Sequence, residues 1–334
     1  MQTAEISNAA AKIEALQPVY ELVAQDFAAV NALIPAKLTS DVGLVEEISH
    51  YIVESGGKRL RPLMVLLAAG ALGHNSNDKI KLAAIIEFLH TATLLHDDVV
   101  DHSGMRRGKV TANARWGNAP SVLVGDFLYS RAFQLMVEVG SLEIMGVLSG
   151  ATNTIAEGEV MQLTNIGNVA LTEDEYREVI RCKTALLFEA ATHTGALLET
   201  DRQHTDTLRR FGLHFGLTYQ LVDDWLDYAG DSETLGKNVG DDLAEGKLTL
   251  PLIHALATAP SADAELIKSS VAARSAEDLP RIVDIVTRSG SLEYTHQAAV
   301  QEAKLASDCI AQLPTSPYAD ALQTVTQFSI ARLF

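Results

Sequence analysis

Residues 87–101 read EFLHTATLLHDDVVD, and this stretch decides the class of fold. In the surrounding segment, residues 83–100, the apolar side chains stand at positions 85, 86, 88, 89, 92, 95, 99 and 100. This spacing follows the turn of a helix and departs from the alternation typical of a strand. The stretch therefore predicts a helix that ends in a cluster of aspartates.

The rest of the chain also favours helix. No proline occurs between Ser121 and Leu250, and long proline-free segments rich in Ala, Leu, Glu and Gln are typical of helices. Thr172 and Glu175 match the Thr-x-x-Glu capping box, which predicts a helix over residues 176–187. Turn-forming residues cluster at residues 55–57, 73–77, 103–120, 165–168 and 230–246. We predict an all-α protein of long helices joined by short loops.

The charge balance limits the classes of partner. Lys and Arg number 26 against 43 Asp and Glu, a formal net charge of −17 over 334 residues. So acidic a chain is a poor partner for nucleic acid, because neutralising phosphates requires surplus Lys and Arg. We expect no nucleic-acid partner, and we expect any anionic substrate to be held by local basic residues or by metal ions.

Cysteine content and apolar runs indicate the compartment. The two cysteines, Cys182 and Cys309, cannot form a disulfide framework or a four-thiolate zinc site, which fits a reducing compartment. Residues 1–17 lack a secretory pattern, and the longest apolar run, residues 62–73, is shorter than the roughly 18 residues of a membrane span. We expect a cytoplasmic protein without a membrane span, with residues 1–17 as an N-terminal arm and 18–334 as one domain.

Two aspartate clusters share the pattern D-D-x-x-D. On a helix, residues four apart lie on one face, so the first and last carboxylates of each cluster should project side by side. Carboxylates so close repel one another and call for a cation, and Mg²⁺ prefers carboxylate, water and phosphate oxygens. The alternative is a solvated acidic helix end. The clusters are Asp97, Asp98 and Asp101, and Asp223, Asp224 and Asp227.

Basic residues flank the first cluster. Residues 56–62 read GGKRLRP and residues 105–108 read MRRG. The arginine fork matches phosphate oxygens in pairs, so carboxylates, metal ions and arginines together suit a diphosphate. Either basic run taken alone would be an ordinary surface patch.

These motifs, in this order, resemble the trans-isoprenyl diphosphate synthases from about residue 18 to the C-terminus. The remaining motifs that carry the resemblance are GD (125–126), EGEVMQL (157–163), KTALLFEAA (183–191), YQLVDDWLD (219–227) and LGKNVGDDLAEGKLTLPL (235–252). The resemblance implies a single bundle of long helices around a deep central cavity, usually as a homodimer. It also implies Mg²⁺-dependent 1'-4 condensation of isopentenyl diphosphate onto an allylic diphosphate such as farnesyl diphosphate. An octaprenyl product for the ubiquinone side chain is expected.

The resemblance also assigns roles to residues. All six aspartates of the two clusters would bind Mg²⁺, with three ions expected together with diphosphate. Within the catalytic set, Asp97, Asp98, Asp101, Asp223 and Asp224 would act with Arg106, Lys183 and Gln220. Positions that hold isopentenyl diphosphate match Lys58, Arg61, His90 and Arg107. Positions around the allylic substrate match Arg106, Lys183, Thr184, Gln220, Lys237 and Lys247. Trp225 departs from the family at a spacer position of the second motif, where a smaller aliphatic residue is common.

Product length is expected to depend on the helix that carries the first cluster. Thr93 and Ala92 stand four and five residues before Asp97, about one turn below the metal site. An aromatic residue there would close the cavity early, whereas Ala92 leaves it open for a long product. Phe88, about a turn deeper, would contribute to the floor. The alternative is that Ala92 only fills space in the helix.

Other functions remain open at this stage. A shorter- or longer-chain synthase, from geranylgeranyl to decaprenyl, would carry the same motifs. A class I terpene cyclase usually has an Asn/Ser/Glu-type second metal motif, and a non-catalytic prenyl synthase subunit typically lacks one aspartate cluster. An acidic helical scaffold that binds divalent ions is the most distant alternative.

Overall fold

The structure is a computed structural model, and it describes residues 15–229 and 239–331. Helices of the first half are α1 (Gln17–Leu22), α2 (Ala24–Ala36), α3 (Gly43–Val53), α4 (Leu60–Ala71), α5 (Asp78–Val100), α6 (Ala112–Trp116), α7 (Asn118–Val139) and α8 (Leu142–Thr164). Those that follow are α9 (Glu173–Ile180), α10 (Leu186–Ala196), α11 (Thr205–Ala229), α12 (Asp241–Ala244), α13 (Leu250–Thr258), α14 (Ser261–Ala273), α15 (Leu279–Arg288), α16 (Ser291–Ile310) and α17 (Pro317–Ala331). The all-α prediction is confirmed.

Strand structure in the described ranges is limited to one short hairpin. Strands β1 (Met105–Arg106) and β2 (Lys109–Val110) pair antiparallel. They lie in residues 103–120, where turn-forming residues cluster. The second half of that segment also contains the start of α6 and the start of α7. Pro120 lies in the first turn of α7. A backbone N–H in that turn would have no acceptor within the helix, so the lack of one in proline costs no hydrogen bond.

The predicted helix over residues 176–187 is interrupted. The capping box of Thr172 and Glu175 is present and starts α9. Five residues, Arg181–Ala185, then form a π-helical turn before α10 begins. Such turns widen a helix locally and are frequent at functional sites.

Glycines allow the helices to approach closely around this π-helical turn. A Cβ atom at Gly216 on α11 would lie 2.5 Å from the Cα of Ala185, and one at Gly158 on α8 would lie 2.7 Å from the Cβ of Cys182. Neither position leaves room for a side chain. The π-helical turn is therefore held directly between α8 and α11.

The hydrophobic core brings the two aspartate motifs to one end of the bundle. Helix α5 packs along α7, while α10 packs between α4 and α11, and α11 also packs along α16. Phe88 on α5, Phe188 on α10 and Phe215 on α11 are fully buried. The first motif ends α5 and the second lies near the end of α11. Among the helices described, none combines the length and the apolar character needed to cross a bilayer.

Candidate active site

A cavity of about 270 Å³ lies where the two aspartate motifs meet. Its polar wall comes from the end of α5 with the hairpin, the end of α8, α9, the π-helical turn, α11, and α12 with the segment after it. Predicted site residues that line it are Asp97, Asp101, Arg106, Lys183, Thr184, Gln220, Asp223, Asp224 and Lys247. The fold thus places both motifs and their basic partners in one pocket.

Within the first motif the aspartates differ in environment. Asp97 and Asp101 line the cavity, whereas Asp98 is fully buried beside it. Arg106 donates to Asp98 Oδ1 at 2.8 Å, and Asp98 Oδ2 is buried without a hydrogen-bond partner among the described residues. Burial raises the pKa of Asp98, and the Arg106 guanidinium opposes this rise. Arg106 therefore neutralises Asp98 in addition to facing the cavity.

In the second motif Asp223 and Asp224 line the cavity, and Asp227 does not. Tyr176 donates to one oxygen of Asp224, and the amide of Gln220 donates to the other at 2.7 Å. Burial raises the pKa of Asp224 to about 7, and these two hydrogen bonds oppose the rise. Asp227 is fully buried and accepts from the backbone N–H of Asp242 at 3.2 Å, so it ties α11 to α12.

The hydrogen bonds fix the orientation of Gln220. Thr184 donates to Gln220 Oε1 at 2.8 Å, and the Gln220 amide nitrogen donates to Asp224. The contact with Asp224 decides the orientation, because a flipped amide would turn its oxygen toward the carboxylate and lose that bond, whereas the Thr184 hydroxyl can donate or accept. Thr184 and Gln220 thus present fixed neutral dipoles in the cavity.

Lys183, from the π-helical turn, lies between two acids. Its Nζ lies 2.6 Å from Glu159 Oε2 and 3.8 Å from Asp97 Oδ2. Burial raises the pKa of Glu159 to about 7, with Lys183 opposing this and Asp97 adding to it. Residues 157–163 belong to the motifs that carry the family resemblance, but no pattern in the sequence predicts a role for Glu159.

Lys247 is the second ammonium group that the described part of the chain places in the cavity. Its Nζ lies 3.3 Å from Asp101 Oδ2 and also pairs with Glu245. Burial lowers its pKa, but Asp101 and Glu245 outweigh burial and the net shift is upward. Lys247 therefore keeps its charge in the cavity.

A second group of predicted residues forms a basic cluster beside the cavity. The guanidinium of Arg61 lies 3.2 Å from His90 Nε2 and stacks 4.3 Å from the centroid of the Phe188 ring. Burial, followed by the charges of nearby arginines that include Arg61 and Arg107, lowers the pKa of His90 well below its usual value. His90 is therefore neutral and can accept from Arg61. Lys58 lies exposed on the loop before α4, and Lys237 lies outside the described residues.

A second, more apolar cavity of about 320 Å³ adjoins the first. Asp97 lines both cavities. The other residues around the second cavity are Thr93, His96, Tyr129, Phe133, Thr152, Ile155, Ala156 and Glu159. Thr93 thus faces this space, whereas Ala92 and Phe88 are fully buried in the main core and line neither cavity. The influence of these three residues on product length stays a prediction.

The donor set suits a hard divalent ion bound together with a substrate. In the described part of the chain, no three acidic, histidine or cysteine side chains converge closely enough to hold a metal ion by themselves. Asp97, Asp101 and Asp223 nevertheless share one cavity with Lys183 and Lys247. Mg²⁺ typically takes one or two carboxylates and completes its shell with water and phosphate oxygens. These residues fit Mg²⁺ that is held jointly with a diphosphate.

Comparisons with known proteins agree with this geometry. Residues 42–286 match the polyprenyl synthetase family model. The chain is 48% identical to octaprenyl diphosphate synthase of Escherichia coli (strain K12), over 95% of this chain and 99% of that protein. It is 47% identical to all-trans-nonaprenyl-diphosphate synthase (geranyl-diphosphate specific) of Rhodobacter capsulatus, over 96% of this chain and 99% of that protein. A crystal structure of polyprenyl synthase from Caulobacter crescentus CB15, complexed with calcium and isoprenyl diphosphate, superposes with a TM-score of 0.91 at 43% identity, covering 95% of this chain and 97% of that one.

Proposed function

Since the chain belongs to the polyprenyl synthetase family, we propose that it is a long-chain trans-polyprenyl diphosphate synthase. It would condense isopentenyl diphosphate repeatedly onto an allylic diphosphate, with farnesyl diphosphate as the expected primer. One observation carries the proposal: Asp97, Asp101 and Asp223 share a cavity with two ammonium groups, and Asp97 also borders a more apolar cavity. A diphosphate head with a hydrocarbon tail fits that combination.

The residues of the polar cavity would hold the allylic diphosphate. Lys183 and Lys247 supply positive charge opposite the carboxylates, and Arg106 adds a guanidinium at the rim. Mg²⁺, for which we propose three ions, would bind the diphosphate together with the four aspartates that line the cavity, Asp97, Asp101, Asp223 and Asp224, and would neutralise the leaving group. Asp98 and Asp227 are buried beside the cavity, where Asp98 would hold Arg106 in place and Asp227 would hold the backbone of α12.

The basic cluster would hold the second substrate. Arg61, Arg107 and Lys58, with neutral His90 accepting from Arg61, form a cation-rich site suited to the diphosphate of isopentenyl diphosphate. Tyr219, the residue before Gln220 on α11, interacts electrostatically with Arg61 of this cluster. The two diphosphate sites would thus bring the two substrates to adjacent positions.

The reaction follows from this placement. The bond between the allylic carbon and oxygen breaks, and its electron pair leaves with diphosphate. The double bond of isopentenyl diphosphate then forms the new carbon–carbon bond, and the released diphosphate accepts the proton that is lost. Thr184 and Gln220 offer oriented dipoles to the allylic cation without adding a reactive carboxylate.

We propose an octaprenyl product that serves the ubiquinone side chain. Relatives at 48% and 47% identity are named for octaprenyl and nonaprenyl products, so overall similarity supports a long chain without choosing between them. The second cavity, lined by Thr93 and Phe133, would receive the growing chain. Both cysteines are buried thiols, in keeping with a cytoplasmic location, and residues 18–334 would form one synthase domain.

The outward sides of α7 and α8 support a homodimer. Several large apolar side chains are exposed there, and Gly146 and Gly150 on α8 face open space. Such a concentration on two adjacent long helices is typical of a surface that is covered in the assembly. The exposed residues are Val122, Leu123, Phe133, Val137, Leu142, Val160 and Leu163. A second copy of the chain is the partner that the resemblance implies.

A product assay tests the proposed function. The purified chain would be incubated with isopentenyl diphosphate, farnesyl diphosphate and Mg²⁺, with a parallel sample in EDTA, and the products analysed by mass spectrometry. We expect long prenyl diphosphates, with octaprenyl diphosphate the main species, only in the sample with Mg²⁺. Release of a cyclic hydrocarbon would indicate a cyclase, and no turnover would indicate a non-catalytic subunit or scaffold.

A further inference from the structure

The C-terminal helix reaches the loop that carries Lys58. On α17, the ring of Tyr318 covers Gly70 of α4 so closely that a Cβ atom at Gly70 would overlap it. Further along α17, the ring centroid of Phe328 lies 4.5 Å from Lys58 Nζ. These two contacts run in opposite directions along the two segments, so α17 lies antiparallel to α4. The end of α17 is thereby brought to the start of α4.

The loop before α4 has a backbone that needs support from outside. Gly56, Gly57 and Arg59 have φ angles of 83°, 129° and 45°, all in the left-handed half of the map. Arg59 is not a glycine, so this conformation is strained and persists only where its surroundings hold it.

Two other segments, α1 and the β1–β2 hairpin, hold this loop by its carbonyl oxygens. Tyr20 on α1 donates to the carbonyl of Lys58. Arg107 donates to the carbonyl of Gly56, and Lys109 Nζ donates to that of Glu54 at 3.3 Å. Tyr20 is itself fixed, because its ring packs edge-on against Phe27 at 5.3 Å between centroids. The backbone position of Lys58 thus depends on the N-terminal helix.

The side chain of Lys58 depends on the C-terminal helix. Lys58 is exposed, whereas Phe328 is only 6% exposed. A lysine side chain has many rotamers, and a fixed aromatic face favours those that place the ammonium group near the ring.

We propose that Phe328 and Tyr20 are positioning residues that hold Lys58 for the diphosphate of isopentenyl diphosphate. This inference rests on the role of Lys58 in the proposed function. It gives α1 and α17 a part in binding isopentenyl diphosphate and no part in binding the allylic diphosphate. Neither residue lines the polar cavity of the allylic diphosphate, so the KM values of the two substrates should separate.

The experiment measures KM for each substrate in single variants of the full chain. For Phe328→Leu we expect KM for isopentenyl diphosphate to rise roughly two- to fivefold, which is the loss of binding expected when an exposed cation–π contact is removed. We expect KM for the allylic substrate and kcat to stay unchanged. For Tyr20→Phe we expect a rise in the same KM alone. Phe328→Tyr keeps the ring and should keep the wild-type KM. Val325→Ala, one turn earlier on α17 and fully buried, is the matched control that lowers Tm without moving either KM.

A double-variant cycle separates positioning from general damage. Lys58→Met should raise KM for isopentenyl diphosphate, and Phe328→Leu should add nothing further in that background. If Phe328→Leu has the same effect with and without Lys58, or if Val325→Ala shifts KM equally, the positioning role is overturned. If Lys58→Met leaves KM unchanged, the assignment of Lys58 in the proposed function fails first and the inference falls with it.

Discussion

Lys247 Nζ lies 3.3 Å from Asp101 Oδ2, although the two residues are 146 positions apart in the chain. Asp101 ends the first aspartate motif, and Lys247 follows the second. This ion pair therefore joins the first motif to the segment after α12, which lines the same polar cavity as the second motif. Because Asp101 and Glu245 keep the lysine protonated in spite of burial, the cavity retains a cation opposite its carboxylates.

Asp97 borders both cavities, so its removal should damage catalysis more than folding. For Asp97→Ala we expect turnover to fall by roughly a thousandfold, as the loss of about 4 kcal/mol of transition-state stabilisation would imply. The far-UV circular dichroism spectrum should not change. Steady-state turnover in saturating Mg²⁺ checks this, with the exposed Asp174→Ala as the control. Wild-type turnover in Asp97→Ala would remove Asp97 from the metal site.

Much of this site could be predicted from the sequence, because the residues of each motif lie on a helix whose period is known. The repeated D-D-x-x-D pattern after apolar helical runs was enough to expect two acid clusters that bind cations. The same period explains why not all aspartates line the cavity, since adjacent residues on a helix point about 100° apart. Asp97 faces the space while Asp98 is buried against Arg106.

Other parts of the site depend on tertiary contacts that no local pattern shows. Tyr176 and Asp224 are 48 positions apart, and one tyrosine among eight gives no signal of such a bond. The π-helical turn Arg181–Ala185 contains neither Gly nor Pro. The glycines that accommodate it, Gly158 and Gly216, lie on other helices.

Product length should respond to bulk at Thr93. Thr93 lines the second cavity, so Thr93→Phe would fill the path of the growing chain and shift the products to shorter prenyl diphosphates. Mass spectrometry of products at saturating substrates checks this, with Thr93→Val as a control of similar size. An unchanged distribution would show that the chain takes another route.

Ala92→Phe is expected to shorten the product as well, but at a greater cost in stability. Ala92 is fully buried in the core, and overpacking a core typically costs about 1–3 kcal/mol. We expect a lower Tm than for Thr93→Phe, together with shorter products. If the products stay long while Tm falls, Ala92 only fills space in the helix.

Neutral His90 should make folding stability depend on pH. Burial lowers its pKa in the folded state, while the unfolded chain takes up a proton below about pH 6.5. The unfolded state then binds more protons, so this contribution to stability is present above pH 6.5 and is lost as pH falls. Between pH 7.5 and 5.5 we expect the free energy of unfolding of the wild type to fall by about 1 kcal/mol more than that of His90→Gln. Urea unfolding at both pH values checks this, and parallel pH profiles would contradict it.

The apolar side of α7 and α8 should determine the oligomeric state. Val137 on α7 is 67% exposed in the single chain, and a glutamate at that position would place a charge, and its symmetry-related copy, inside a dimer interface. Burying an unpaired charge is costly, so we expect Val137→Glu to be monomeric at micromolar concentration and the wild type, as proposed, to be a dimer. Val300→Glu on α16, where the native valine is 42% exposed, is the matched control and should leave the wild-type mass unchanged. Light scattering coupled to size-exclusion chromatography measures the mass, and a dimeric Val137→Glu with normal Tm would place the interface elsewhere.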